Sequence, residues 1–319
     1  MIIQTGMRTD IPAFYSEWFA NRIKEGYVLV RNPYNPSQVT RYSLDSTVVD
    51  LIAFCSKNPE PMLKYMNLLK DYGMYWFVTI TPYGKDIEPM VPEKEKVIET
   101  FRQISSIAGV DSMAWRYDPI FIDEKYTIEY HLKEFEKMAK ALSGYTKTCV
   151  ISFIDLYQKV KKNFPEVKTV SKEDREILGK NIIEIASKYG MTVKPCGEGF
   201  ELEKFGADCG GCMTIETYEK ALHTTMNFPK RQPLRKDCAC FMGNDIGAYN
   251  TCLHMCKYCY ANYDEYTVKY NYKNHNPNSP FLIGEIMEDD QIHQAEQKSW
   301  KDGQLSFEKM LGLMNAPSE

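Results

Sequence analysis

The hydrophobic and polar positions of the first 195 residues form a repeating pattern, in which short apolar runs alternate with longer segments of helical periodicity. The short runs are rich in β-branched and aromatic residues and predict strands at residues 2–5, 49–55, 75–81, 114–116, 148–153 and 193–194. Strands that alternate with helices in this way are typical of a parallel sheet. The pattern therefore predicts an α/β fold, a parallel β/α barrel, TIM-like or partial, of about six to eight units.

The segments between these strands carry their own signals. Apolar residues at helical spacing predict a helix over residues 12–25 and another over residues 61–72. Alternation of apolar and polar residues around Pro33 and Pro36 predicts a hairpin within residues 26–44, inserted between two barrel units.

The pattern changes at residue 196. Glycine, proline and cysteine become dense, and helical periodicity is weak outside residues 214–224. We therefore expect a barrel core at residues 1–195, a cysteine-rich region at 196–284 packed on the barrel mouth, and a charged tail at 285–319 with one helix over 305–314. A region with few apolar residues in register must gain its order from bound ligands or from docking.

Composition and charge narrow the class of protein. The chain has 319 residues, 44% of them hydrophobic and 26% charged, which is ordinary for a globular protein. Its apolar runs fall short of the roughly 18 residues that span a bilayer, and its first residues lack a secretory pattern, so we expect a cytoplasmic protein without a membrane segment. A net charge of −4 argues against a dominant nucleic-acid surface, and the basic residues Lys230, Arg231, Arg235 and Lys236 are interpreted as a solvated loop.

The ten cysteines point to metal or redox chemistry. In a reducing compartment, crowded cysteines are typical of metal ligands and not of a disulfide framework. Cys252, Cys256 and Cys259 stand in a C-x3-C-x2-C spacing with Tyr258 before the last cysteine. Three thiolates on one loop can bind a [4Fe–4S] cluster and leave one iron without a protein ligand. The alternative is a structural zinc site with His254 as the fourth ligand.

The other cysteines form a second candidate site. Within the cysteine-rich region, a C-x2-C pair and a C-x-C pair provide enough ligands for an iron–sulfur cluster or zinc, and we expect these ligands to be Cys196, Cys212, Cys238 and Cys240. Cys209 is the remaining candidate, and free thiols are the alternative. Cys55 and Cys149 lie within predicted strands and are expected in the core.

Charged residues follow the predicted strands at their carboxyl ends, where parallel α/β proteins bind ligands. The candidates for catalysis or substrate binding are Arg8, Asp10, Lys57, Arg116, Asp118 and Asp155. The basic residues are suited to anchoring anionic groups, and the acidic ones to orienting polar groups or moving protons. The structural alternative is that Asp10 and Asp118 cap helices and that Arg8 and Arg116 pair with them.

The chain as a whole resembles a known family. The strings MRTDIPAFYSEWF, VLVRNPYNP, SKNPEPML, TPYGKDIEP, WRYDPI, CVISFIDLY and DIGAYNTCLHMCKYCYAN are similar to the domain-of-unknown-function family 1848 across nearly the full length. That family is similar to radical S-adenosylmethionine (SAM) proteins in its C-terminal cysteine cluster. The resemblance implies a [4Fe–4S] cluster, bound SAM, a small-molecule or otherwise unknown substrate, an electron donor such as a ferredoxin or flavodoxin, and an anaerobic setting.

Two departures from radical SAM enzymes are visible. Their cluster loop follows the first strand, whereas this loop follows the last predicted unit, and Lys57-Asn58-Pro59 stands where their Gly-Gly-Glu segment would bind SAM. Two other functions therefore stay open: an iron–sulfur electron-transfer or accessory protein without SAM chemistry, and a zinc-stabilised barrel hydrolase.

Overall fold

The structure is a computed structural model that describes residues 1–229 and 240–302. Its strands are β1 (Ile2–Gln4), β2 (Tyr27–Arg31), β3 (Gln38–Ser43), β4 (Leu51–Ser56), β5 (Gly73–Thr79), β6 (Met113–Ile120), β7 (Thr148–Phe153), β8 (Thr192–Pro195), β9 (Asn244–Asp245) and β10 (Gln291–Gln294). The α-helices are α1 (Ile11–Phe14), α2 (Ser16–Glu25), α3 (Lys94–Ala108), α4 (Ile128–Leu142), α5 (Gln158–Asn163), α6 (Lys172–Lys188), α7 (Ile215–Leu222) and α8 (Glu265–Lys273). Three short segments are 3-10 helices, Glu60–Leu69, Val110–Ser112 and Glu203–Phe205.

Seven strands form one sheet in the order β8-β7-β6-β5-β4-β1-β9, and every neighbouring pair is parallel. The six predicted strands are all present in it, and the predicted parallel α/β fold is confirmed. Strands β8 and β9 stand at the two ends of this order, and no pairing joins them within residues 1–229 and 240–302. The described sheet is therefore open.

Both faces of the sheet are covered, as the continuous apolar runs of its strands predict. We call the face that packs against α4 the outer face and the opposite one the inner face. On the outer face, Phe54 of β4 stacks on Trp76 of β5 at 3.9 Å between ring centroids, and Trp115 of β6 stacks on Phe135 of α4 at 4.6 Å. On the inner face, the Gln4 side-chain amide contacts the Met213 sulfur at 3.3 Å. Residues of the cysteine-rich region thus pack against the inner face.

Two predicted helices differ in form. The helix expected over residues 12–25 is divided into α1 and α2 at Tyr15, whose φ of −132° is not helical. Tyr15 is buried, and its hydroxyl donates to the Thr251 carbonyl oxygen at 2.7 Å, so a tertiary contact accompanies the break. The segment expected as an α-helix over 61–72 is the 3-10 helix Glu60–Leu69, with Pro61 in its first turn.

A second, three-stranded sheet has the order β10-β3-β2. Strands β2 and β3 form the predicted antiparallel hairpin, and β10 pairs with β3 in parallel. Every residue of β10 is exposed, so the strand has no apolar alternation that sequence patterns could reveal. The helix expected over 305–314 lies outside the described residues. Among the helices that the structure describes, none is long and apolar enough to cross a membrane.

A buried histidine makes stability depend on pH. The ring nitrogens of His131 lie 2.8 Å from the Tyr117 hydroxyl and 2.8 Å from the Phe121 carbonyl oxygen. Burial lowers the pKa of His131 to about 4, although the bond to Phe121 acts in the other direction. An unfolded histidine titrates near ~6.5, so between these values the unfolded chain binds more protons than the folded one.

We therefore expect the free energy of unfolding to fall as pH is lowered from about 6.5 to about 4, by up to ~1.4 kcal/mol per pH unit from this group. Urea denaturation at several pH values measures this change in the free energy of unfolding. The His131→Gln variant should lose this part of the slope, and equal slopes in the two proteins would contradict the assignment.

Candidate functional site

The cysteine loop, residues 251–262, is held in place by hydrogen bonds to two other segments and by one within the loop. The Tyr15 hydroxyl binds its first carbonyl group, as described above. The Met90 amide donates to the His254 carbonyl oxygen at 3.2 Å, and the Lys257 amide donates to the Ile87 carbonyl oxygen at 3.0 Å. The Asn262 side-chain amide closes the loop by donating to the Cys252 carbonyl oxygen at 2.7 Å. The loop is therefore fixed between α1 and the segment that follows β5.

The three thiols of this loop lie near enough to influence one another's pKa, and burial raises the pKa of each. Burial raises the pKa of Cys252 well above its ordinary value, and the neighbouring charges of Cys259 and Cys256 raise it further. Burial also raises the pKa of Cys259. The backbone N–H groups of Ala261 and Asn262 bond to its sulfur and act in the opposite direction, lowering that pKa. Such N–H donors stabilise sulfur ligands of iron–sulfur clusters. The loop thus combines three thiols with N–H groups that bond to sulfur.

A buried ion-pair network lies directly against the loop. Glu88 is 1% exposed, and its two carboxylate oxygens lie 2.8 Å from the Lys57 ammonium and 3.1 Å from the Lys94 ammonium. Thr81 and Tyr258 also donate hydroxyl hydrogen bonds to this carboxylate. Burial alone would raise the pKa of Glu88, but Lys57 and Lys94 outweigh it and lower that pKa to about 2. Glu88 is therefore a carboxylate, and through Tyr258 it is joined to the cysteine loop.

Lys57 connects the network to a thiol. Burial would lower the pKa of Lys57, but the charges of Glu88 and Cys256 raise it. In return, Lys57 opposes the burial that raises the pKa of Cys256. A buried ammonium beside a buried thiol favours the thiolate. The predicted residues Lys57, Cys256 and Tyr258 therefore form one connected group.

Asp10 has a structural and a site contact. One carboxylate oxygen accepts from the Ala13 amide at 3.0 Å and caps α1, as the structural alternative predicts. The other accepts from the Lys57 amide and lies 2.8 Å from His254 Nε2. Nδ1 of His254 is buried and has no partner among the described residues. Asp10 thus belongs to the surroundings of the cysteine loop.

Arg116 and Asp118 form a second pair on the inner face of the sheet. The Arg116 guanidinium is paired with the Asp118 carboxylate, which also accepts from the Ser152 hydroxyl. Arg116 Nη1 lies 3.9 Å from the sulfur of Cys55, a half-buried residue at the end of β4. The pairing of Arg116 with Asp118 agrees with the structural alternative, whereas Asp118 caps no helix.

The remaining charged candidates lie apart from this pair. Arg8 is 2.5 Å from Asp245 of β9 and does not pair with Asp10. Asp155 is exposed after β7, where it accepts from the Tyr157 hydroxyl at 3.2 Å. Tyr260 of the cysteine loop is exposed, and its hydroxyl donates to the Met7 carbonyl oxygen, next to Arg8, at 2.6 Å. The structure thus brings Asp10 and Lys57 to the cysteine loop and leaves Asp155 at the periphery.

The second set of cysteines is only partly covered by the structure. The sulfurs of Cys212 and Cys240 are 3.5 Å apart, and the Cys212 thiol also contacts that of Cys196. These contacts and burial raise the pKa of Cys212, while the hydrogen bond from Cys212 lowers that of Cys196. Cys209 is influenced by Glu203 and Asp208 and not by these thiols. Cys238 lies outside the described residues, and Cys149 is buried as predicted.

Within residues 1–229 and 240–302, no group of three or more His, Cys, Asp or Glu side chains has the geometry of a metal-ion site. Sequence reasoning did not single out Glu88 and Asp245 as site residues. Both stand among many charged residues in the sequence, and only the fold shows that one is buried between two lysines and that the other pairs with Arg8.

Glu88→Gln should strongly destabilise the protein, because it leaves two buried ammonium groups without their carboxylate. We expect a loss of about 3–5 kcal/mol in the free energy of unfolding, measured by urea denaturation. The matched control is Glu93→Gln, whose side chain is 77% exposed and pairs with Lys85 at 3.4 Å. This variant should lose less than about 1 kcal/mol. Equal losses in the two variants would show that the Glu88 network adds nothing.

Comparison with known proteins agrees with the resemblance found in the sequence. The family described as "Domain of unknown function (DUF1848)" matches residues 2–261, a range that includes the seven-stranded sheet and all three cysteines of the loop. A search of curated proteins finds no match. Since the match covers well over half of the chain, this protein belongs to the DUF1848 family.

Proposed function

We propose that this protein is an iron–sulfur enzyme of the radical SAM-like class, in which Cys252, Cys256 and Cys259 bind a [4Fe–4S] cluster. The observation that carries the proposal is the construction of the loop. Three buried or half-buried thiols are contained in eight residues, backbone N–H groups bond to the sulfurs of Cys252 and Cys259, and the charge of Lys57 acts on Cys256. Within the described loop the remaining potential ligand, His254, has its Nε2 engaged by Asp10. Three protein ligands for four irons leave one iron open.

A cluster and a single ion make different demands on the spacing of sulfurs. Around one ion, all ligands converge on the same point. In a cubane, each cysteine binds a different iron, so its sulfurs stand further apart. The lack of a single-ion site among the described residues is therefore compatible with this cluster.

When bound, such a cluster would supply one electron, received from the external donor, for the cleavage of SAM to methionine and a 5′-deoxyadenosyl radical. The residues of this chain hold and shield the site. Lys57 and the backbone N–H groups offset the negative charge of the thiolates, and the Glu88 network keeps Lys57 and Tyr258 in position. Burial of the loop on the sheet limits the access of water and oxygen.

The proposed substrate-binding site is the inner face of the sheet beside the cysteine loop. Arg116 and Arg8 are suited to anchoring anionic groups, and Asp118 and Asp10 to orienting polar groups or holding protons. The substrate is a small molecule or another group that reaches this end of the sheet, and a ferredoxin or flavodoxin would donate the electron. We further propose that the cysteine-rich region completes a partial barrel, and that the protein works in a reducing, anaerobic cytoplasm.

His254 favours a second candidate function. Its Nδ1 has no partner among the described residues, while its Nε2 faces the Asp10 carboxylate. A histidine that binds a metal commonly gives its other ring nitrogen to a carboxylate in this way. If Nδ1 bound the fourth iron, the cluster would be closed and the protein would be an electron carrier without SAM chemistry. If it bound zinc with the three cysteines, the protein would be a zinc-stabilised barrel hydrolase.

Anaerobic reconstitution separates these functions. We expect about four iron and four sulfide per chain in the cluster, and formation of 5′-deoxyadenosine with SAM and dithionite. Alanine at Cys252, Cys256 or Cys259 should remove this iron and the activity, because each residue binds one iron. Cys209→Ser is the matched control and should keep both.

Full iron content in all three cysteine variants would refute the cluster assignment. Wild-type protein that binds the cluster, forms no 5′-deoxyadenosine and changes its cluster spectrum in the His254→Gln variant would identify the electron carrier. Colourless, iron-free protein that loses zinc when Cys252, Cys256 or Cys259 is replaced by alanine would identify the zinc protein.

A further inference from the structure

A second group of thiols lies on the inner face of the sheet, apart from the cysteine loop. Cys196 follows β8, Cys212 precedes α7, and Cys240 lies on the segment that leads to β9. We propose that Cys196, Cys212 and Cys240 bind one thiophilic divalent ion of the zinc class, at a site separate from the proposed cluster. The proposal does not depend on the radical SAM-like function.

The distance between two of the sulfurs indicates a single ion. Cys212 Sγ and Cys240 Sγ are 3.5 Å apart. A tetrahedral ion with metal–sulfur bonds of about 2.3 Å separates its sulfurs by about 3.8 Å, so this pair already stands near the length of one edge of that tetrahedron. The cysteines of a cubane bind different irons and stand further apart. The pair therefore fits a mononuclear site better than a second cluster.

The third thiol is placed to join this pair. Cys212 is 3% exposed, and its thiol interacts with the thiols of both Cys196 and Cys240. The described residues do not yet converge as three ligands on one point, so binding requires Cys196 to turn towards the pair. Water or another ligand can occupy the remaining position, as in zinc sites with three protein ligands.

Buried thiolates need positive charge nearby, and the fold supplies it. The Arg116 side chain is 18% exposed, and its charge acts on Cys55, Cys196 and Cys212. Its Nε is buried and has no hydrogen-bond partner among the described residues. The Met213 amide adds a hydrogen bond to the Cys240 sulfur at 3.4 Å. Cys209 lacks these neighbours, although it completes the C-x2-C motif with Cys212.

The site also has a structural purpose. The Asp208 amide donates to the Val193 carbonyl oxygen of β8 at 2.9 Å, and the Phe241 amide donates to the Met213 carbonyl oxygen at 2.7 Å. The first bond joins the segment before α7 to β8, and the second joins the segment before β9 to the residue that follows Cys212. An ion held by thiols from three of these segments would fasten them to one another beside the buried side chains of Met213 and Phe241.

The experiment measures zinc and iron in full-length protein that is purified anaerobically. We expect about one zinc per chain, and loss of that zinc in Cys212→Ser and in Cys240→Ser. Cys209→Ser, the matched control from the same C-x2-C motif, should keep it. The variant in which Cys252, Cys256 and Cys259 are all replaced by alanine should keep the zinc and lack the iron, so failure of the cluster proposal is distinguishable from failure of this one.

Because a buried serine can disturb folding, the wild-type protein gives a second measurement. Replacement of zinc by Co²⁺ in the wild-type protein should produce the thiolate-to-cobalt absorption of a tetrahedral site. In the Cys240→Ser variant, proteolysis within residues 207–229 should be faster, and cleavage in the strands before Val193 should be unchanged. Zinc retained in both serine variants overturns the proposal. So do wild-type protein that binds neither metal, a Cys212–Cys240 disulfide in its place, and iron with sulfide remaining in the triple variant.

Discussion

The buried carboxylate of Glu88 is the charge around which the candidate site is arranged. An isolated carboxylate inside a protein is so costly that it either takes up a proton or finds positive partners. Here Lys57 and Lys94 are those partners, and both are held within about a hydrogen-bond length. Because Tyr258 and Thr81 bind the same carboxylate, the end of the sheet and the cysteine loop share one electrostatic centre. Neither can move without breaking bonds to the other.

The same requirement explains how the chain distributes its positive charge. The cysteine loop and the second set of cysteines each have one largely buried cation beside them. Lys57 lies at Cys256, and Arg116 lies at Cys196 and Cys212. Each of these cations is also paired with a carboxylate, which fixes its position. Cys149 is buried without a cation beside it among the described residues, and burial raises the pKa of its thiol well above the ordinary value. A nearby cation is not restricted to the two proposed sites, however, since the charge of Arg116 also acts on Cys55 of β4.

The features that could be predicted from the sequence are those that local residue patterns determine. The six parallel strands are continuous apolar runs because both of their faces are buried, and the C-x3-C-x2-C loop is contained in eight residues. What sequence reasoning missed depends on residues that are distant in the chain. Strand β10 exists through its pairing with β3, the break at Tyr15 coincides with its bond to Thr251, and the partner of Arg8 comes from β9. No local periodicity encodes such contacts.

The pairing of β1 with β9 has a consequence for how the protein is made. Ile3 lies opposite Asn244, so the first strand finds this neighbour only after the strands β2 to β8 have been synthesised. The cysteine loop follows β9 directly, and its anchors in α1 and beside β5 belong to the early part of the chain. Domains generally form from the N-terminus as the ribosome releases them. The thiols would therefore reach strands that are already in place, and loading of the proposed cluster would follow assembly of the sheet and not precede it.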